Sequence, residues 1–167
     1  MLRRLALLAT APALLLIGSP ARAGVPAPPL PSSAPATAVA PAELMSEVIT
    51  MTNQRRHANG CGQLDVDPEL TVASIRQSLY MARTGLFSHV WRDGTTFVAR
   101  SRAAGYAQPS GENIAWGYRT ADEVMDAWMA SPSHRENILN CGAHSIGTGV
   151  AYGPNGLPYY TQVFGWD

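Results

Sequence analysis

Three side chains in this sequence have both a reactive type and suggestive neighbours: His89, Glu112 and His134. His89 follows Gly85-Leu86-Phe87-Ser88, just past a predicted helix C-terminus, where the helix dipole favours a protonated ring. His134 lies in Ser131-Pro132-Ser133-His134-Arg135-Glu136, near the start of a short helix. There the dipole favours a neutral imidazole, the form a divalent metal requires. Glu112 lies in Gly111-Glu112-Asn113-Ile114-Ala115-Trp116-Gly117. If that stretch is extended, Glu112 shares a face with Ile114 and Trp116 and points inward. A buried carboxylate needs a partner, and an imidazolium, a backbone amide or a metal would serve. The other two histidines, His57 at a frayed helix end and His144 at a strand start, are expected in solvent.

Short motifs add little. The sequence has no HExxH, GxSxG or CxxC, and His134-Arg135-Glu136 has the H-x-E spacing of zinc deaminases without a following P-C-x-x-C. Gly147-x-Gly149 lies in a predicted strand and lacks the helix of a phosphate loop. Ser131 and Ser133 beside His134 read as an ordinary helix start, because neighbours in a first turn seldom face each other.

The elements that must position these residues are marked by periodicity. Leu44, Val48 and Met51 have helical spacing, ending near Asn59-Gly60. Asp67 and Pro68 suit the cap and first position of a second helix, with Val72, Ile75, Leu79 and Ala82 as its apolar stripe before Gly85. A third helix is predicted over Thr96 to Ala104. A fourth opens with the capping-box pattern Thr120-Ala121-Asp122-Glu123 and buries Ala121, Val124 and Trp128, leaving Asp122, Glu123 and Asp126 outside. From Ser145 the period changes to two. Ile146, Thr148, Val150 and Tyr152 alternate with Ser145, Gly147, Gly149 and Ala151, and a second alternating run covers Leu157 to Phe164 beyond Gly153-Pro154-Asn155-Gly156. This predicts a β-hairpin with one face small enough for a helix to approach closely. The fold class expected is α+β, with about four helices on a small antiparallel sheet.

The 167 residues include 12 basic and 12 acidic side chains, and every basic one is Arg. So even a balance gives no basic face for nucleic acid. Arg3 and Arg4, the apolar run Leu5 to Ile17 and Ala21-Arg22-Ala23 read as a signal peptide over residues 1–23. The run is too short to span a bilayer and Pro12 interrupts it, so the mature chain is expected to have no transmembrane segment and a formal charge of −3. Residues 24–41 are rich in Pro and Ala and predict a flexible linker, followed by one domain over residues 42–167. Export favours pairing of the two cysteines, Cys61 with Cys141.

Taken in order, the motifs Asn53-x-x-Arg56, Phe87-Ser88-His89, Gly105-Tyr106, Gly111 to Gly117, Trp128-Met129-x-Ser131-Pro132-x-His134-Arg135-x-Asn137-Ile138-Leu139 and Tyr160 to Gly165 resemble a secreted bacterial member of the CAP superfamily. That superfamily, also called the SCP domain, groups cysteine-rich secretory, antigen 5 and pathogenesis-related 1 proteins. The resemblance implies an α-β-α sandwich with a central cleft. In eukaryotic members two His and two Glu there form a proposed divalent-cation site. His89 matches the first His and Glu112 the first Glu, whereas Ser131 and Tyr159 stand where the second Glu and second His would be. His89, Glu112 and His134 are therefore the candidate metal residues, with water as a fourth ligand to a cation such as zinc.

The function expected is a secreted, monomeric, extracellular binding module for a small hydrophobic ligand or a cell-surface component. The alternative is an extracellular metal-assisted or acid–base hydrolase, a protease or wall-modifying enzyme, with Glu112 as base. A third reading makes His89 and Glu112 a structural pair that fixes the cleft. The binding module is preferred to an enzyme because the resemblance brings no shared catalytic activity.

Overall fold

The structure is a computed structural model and describes residues 38–167. The predicted signal peptide and nearly all of the predicted linker lie outside those residues. The described elements are α1 (Pro41–Ala58), β1 (Asp65–Val66), α2 (Pro68–Thr84), α3 (Phe97–Ala104), β2 (Pro109–Trp116), α4 (Ala121–Ala130), α5 (Pro132–Ile138), β3 (Ser145–Tyr152) and β4 (Pro158–Gly165).

Strand order is β1-β3-β4-β2. β4 runs antiparallel to both β3 and β2, and β1 runs parallel to β3. The sheet is thus mixed rather than purely antiparallel, and a short fifth helix, α5, joins the four that dominate the sequence pattern. The period-two alternation sorts its two faces as expected. Ile146, Val150, Tyr160 and Phe164 pack with Leu44 and Val48 of α1 and Val124, Met125 and Trp128 of α4. On the other face Ala151, Tyr159 and Val163 meet Leu70, Met81 and Ala82 of α2. The result is an α-β-α sandwich.

Helix ends follow their sequence signals. The side chains of Asp67, Thr96 and Thr120 cap α2, α3 and α4, accepting from the amides of Leu70, Ala99 and Glu123. α2 and α3 end in left-handed glycines, Gly85 and Gly105. The apolar stripe assigned to α2 is where the sequence misleads. Val72 is exposed and Ile75 and Leu79 are only partly buried, while Ser74, Gln77 and Ser78 are fully buried. The cause is β3. Gly147 and Gly149 present no side chain, so the backbone of α2 sits against them and a Cβ at either would collide with main-chain atoms of α2. At that range hydroxyls reach carbonyls: Ser74 donates to Gly147 at 3.0 Å and Ser78 to Gly149 at 2.8 Å.

The disulfide Cys61–Cys141 is formed, with Cα atoms 4.8 Å apart. Beside it the end of α1 is anything but frayed. Arg56 is fully buried and donates to the carbonyls of Gly62, Ile138, Asn140 and Ala143 at 2.8–2.9 Å. Asn53 exchanges two hydrogen bonds with the backbone of Leu64, so the Asn-x-x-Arg motif ties both following loops to α1.

Candidate functional site: a histidine held by a buried ion pair

The site is assembled from the loop after α2, the α3 helix and strand β2. After Gly85 the chain leaves α2 and turns back beside it, pinned by α2 side chains. Gln77 donates to the Ser88 carbonyl at 2.7 Å and accepts from the Trp91 indole at 2.6 Å. Tyr80 stacks on Trp91 at 4.7 Å and accepts from the Arg92 amide at 2.8 Å. His89 sits at the centre of this loop.

Glu112 is inward, as its strand position predicts, and buried beside Ile114. Trp116, expected on the same buried face, is exposed at the strand end. One carboxylate oxygen, Oε1, lies 2.8 Å from Nδ1 of His89, and the other, Oε2, accepts from Arg100 at 2.7 Å. Glu112 and Arg100 have side-chain exposures of 1% and 2%, whereas His89 has 48%. Arg100 also donates to the carbonyls of His89 and Thr95, and its guanidinium lies 5.5 Å from the centre of the Trp91 ring. Arg100 escaped the sequence reading. Its signal is there nonetheless: it falls three residues after Phe97 and four before Ala104, on the inward stripe of α3, where an unpaired charge is costly.

His134 comes to the neighbourhood from the opposite side. α5 is hooked onto β2 by Asn137, which donates to the Glu112 carbonyl and to Asn113, and by Asn113, which donates to the His134 carbonyl and to Gln162. Gln162 in turn donates to Thr52 of α1. Gly111 makes room for this, since a Cβ there would lie 2.5 Å from Asn137 Oδ1. Burial lowers the His134 pKa from its ordinary value, and the charge of His89 lowers it further. The neutral ring expected from sequence is thus favoured, but by desolvation more than by the helix dipole. His57 and His144 are exposed, as expected.

The three candidate ligands do not make a metal centre in this arrangement. Among the described residues no three His, Cys, Asp or Glu side chains converge to hold an ion. Both Glu112 oxygens are engaged, one by a permanent cation. A carboxylate only accepts hydrogen bonds, so His89 Nδ1 carries the proton and Nε2 is the one free ring nitrogen. In this arrangement neither Glu112 oxygen is free for a divalent cation. The role of base given to Glu112 moves as well, because the carboxylate lies behind His89. The imidazole, oriented by a buried carboxylate, is the group that can reach a solute to accept or give a proton.

Two cavities flank this constellation. One of about 550 Å³ is lined by His89, Glu112, Thr96, Phe97 and Asn137. The other, about 290 Å³, is lined by Phe87, Ile114, Trp116, Tyr118, Ser131 and His134.

A three-layer sandwich with a His–Glu cleft on one sheet edge defines the class. The chain belongs to the cysteine-rich secretory protein family (CAP), whose model matches residues 49–164. It is 35% identical over 121 residues to YkwD of Bacillus subtilis strain 168, covering 71% of this chain and 46% of that protein. Among solved structures it is similar to an extracellular protein containing an SCP domain from Bacillus anthracis (26% identity, TM-score 0.69, 76% of this chain and 41% of that one). It is also similar to an outer surface protein of Borrelia burgdorferi (22% identity, TM-score 0.67, 74% and 92%). The chain spans less than half of YkwD and of the Bacillus anthracis protein.

Proposed function

We propose that the domain is a secreted binding module that takes a small hydrophobic ligand in the aromatic cavity beside the His–Glu cleft. The observation that carries this reading is the convergence of Phe87, Trp116 and Tyr118 on one cavity, although each is more than a third exposed. Large aromatic rings left in water are expensive unless something covers them, and a concave wall of them with a few polar groups is the usual lining of a small-molecule site. Trp116 is backed by Tyr159, with ring centres 6.1 Å apart, so its exposed side is already oriented. Ser131 and His134 supply the polar end, which suits an amphipathic molecule with an apolar body. The extracellular and outer-surface descriptions of the relatives support secretion.

Fluorescence titration with a dansyl-labelled fatty acid tests the reading. The protein is expected to bind it saturably with a blue shift. Trp116→Ala is expected to weaken binding about tenfold, or roughly 1.4 kcal/mol, while leaving the unfolding midpoint unchanged. Absence of saturable binding, or equal affinity in the variant, overturns it.

A further inference from the structure

Glu112 and His89 have the residue types of half a cation site, yet the space beside the carboxylate already holds a positive charge. We propose that Arg100 is the built-in cation of this cleft: its guanidinium occupies the Glu112 oxygen that His89 leaves free and that a divalent ion would otherwise use and, acting through Glu112, fixes the ring of His89. Arg100 is thus a positioning residue, and this chain's cleft is metal-independent. The inference does not rest on the hydrophobic-ligand reading.

Four observations carry it. Arg100 cannot give up its charge, because a guanidinium remains protonated in proteins. It cannot swing away cheaply either, because its two terminal nitrogens are shared among the carbonyls of His89 and Thr95 and the Glu112 carboxylate, with the Trp91 ring nearby. Its side chain is 2% exposed, so there is no water to replace those partners. Finally, an ion approaching Oε1 would have to displace His89 Nδ1 at 2.8 Å, and an ion that kept the pair intact would find imidazoles alone, His89 Nε2 and the neighbouring ring of His134, with no carboxylate beside them. Two imidazoles at most fall short of the three or four protein ligands that zinc takes. Arg suits the task better than Lys, because its planar fork meets a carboxylate oxygen and backbone carbonyls at once.

Nuclear magnetic resonance provides the test without needing an activity. In the wild-type protein, Mn²⁺ is expected to broaden the amides of His89, Glu112 and Asn113 no more than those of exposed acidic residues. The long-range ¹H–¹⁵N spectrum is expected to show His89, when neutral, protonated at Nδ1. Arg100→Gln is expected to gain Mn²⁺ affinity at Glu112 by about tenfold or more and to lose the single ring form of His89. Selective broadening at Glu112 in the wild type overturns the proposal, as does a neutral His89 protonated at Nε2. A folded Arg100→Gln variant that gains no metal and keeps the Nδ1 form overturns it too. The wild-type spectra decide the matter even if that variant does not fold.

Discussion

A carboxylate with almost no surface in water is stable only in company, and Glu112 has two partners, one permanently charged and one reaching the solvent. Its inward position was legible from its alternation with Ile114, as was the list of groups able to satisfy it. The guanidinium that completes it was not, because Arg100 is distant in sequence from His89 and only the folded α3 brings it behind the loop. His134 shows the same division. Its place near a helix start was legible, its burial was not, and burial sets its proton affinity. The His134 pKa is lowered in the folded protein, so as pH falls through about 6.5 the unfolded chain takes up its proton first. Stability linked to His134 is therefore full above that pH and is lost as pH falls toward the folded pKa. Urea unfolding at pH 7.5 and 5.5 checks this: His134→Asn is expected to lose less stability between the two than the wild type, and equal losses refute it.

At the scale of elements, the two hairpin strands follow their sequence pattern and the helix packed on their small face does not, for one reason. Strict alternation shows which residues of β3 and β4 share a face, and the small face of β3 announced a close approach. Large apolar residues mark the stripe on α2 in the sequence, whereas a helix lying on glycine has no gap for them to fill. Small side chains and hydroxyls belong there instead, each satisfied by a strand carbonyl or, for Ser78, also by Thr161. Gly149→Ala is expected to destabilise the domain by about 2 kcal/mol or more, because its new methyl meets the backbone of Ser74 and Ile75 rather than a side chain able to turn aside. Gly62→Ala, where nothing lies within 4 Å, is the control and is expected to change stability by less than about 0.5 kcal/mol. Urea denaturation of both measures the difference.

For the whole molecule, the disulfide and Arg56 act at one place by different means. The bond closes a loop of 80 residues that contains α2, α3, β2, α4 and α5, constraining the unfolded chain by roughly 4–5 kcal/mol in the loop-entropy model. Arg56 works in the folded state, gathering the loop after α1 and the turn between α5 and β3 onto one side chain. Burial lowers its pKa without removing its charge. Arg56→Ala is expected to cost more than about 3 kcal/mol by urea denaturation, since hydrogen bonds from a charged donor to buried carbonyls are lost together. Arg56→Lys recovers only part of this, because an ammonium cannot span four carbonyls from a single planar fork. The cysteine pairing could be inferred from number and expected compartment. The arginine could not, because a basic residue near a helix end ordinarily reads as solvated.

The hooks that seat α5 and α4 on β2 have another effect. Asn137 and Trp128 donate to the carbonyls of Glu112 and Ile114 on a strand that forms one margin of the sheet, and at the other margin β1 is two residues long. An incoming strand finds acceptors already taken on one side and almost no template on the other. Both margins therefore offer an added strand less free backbone than an ordinary sheet edge does.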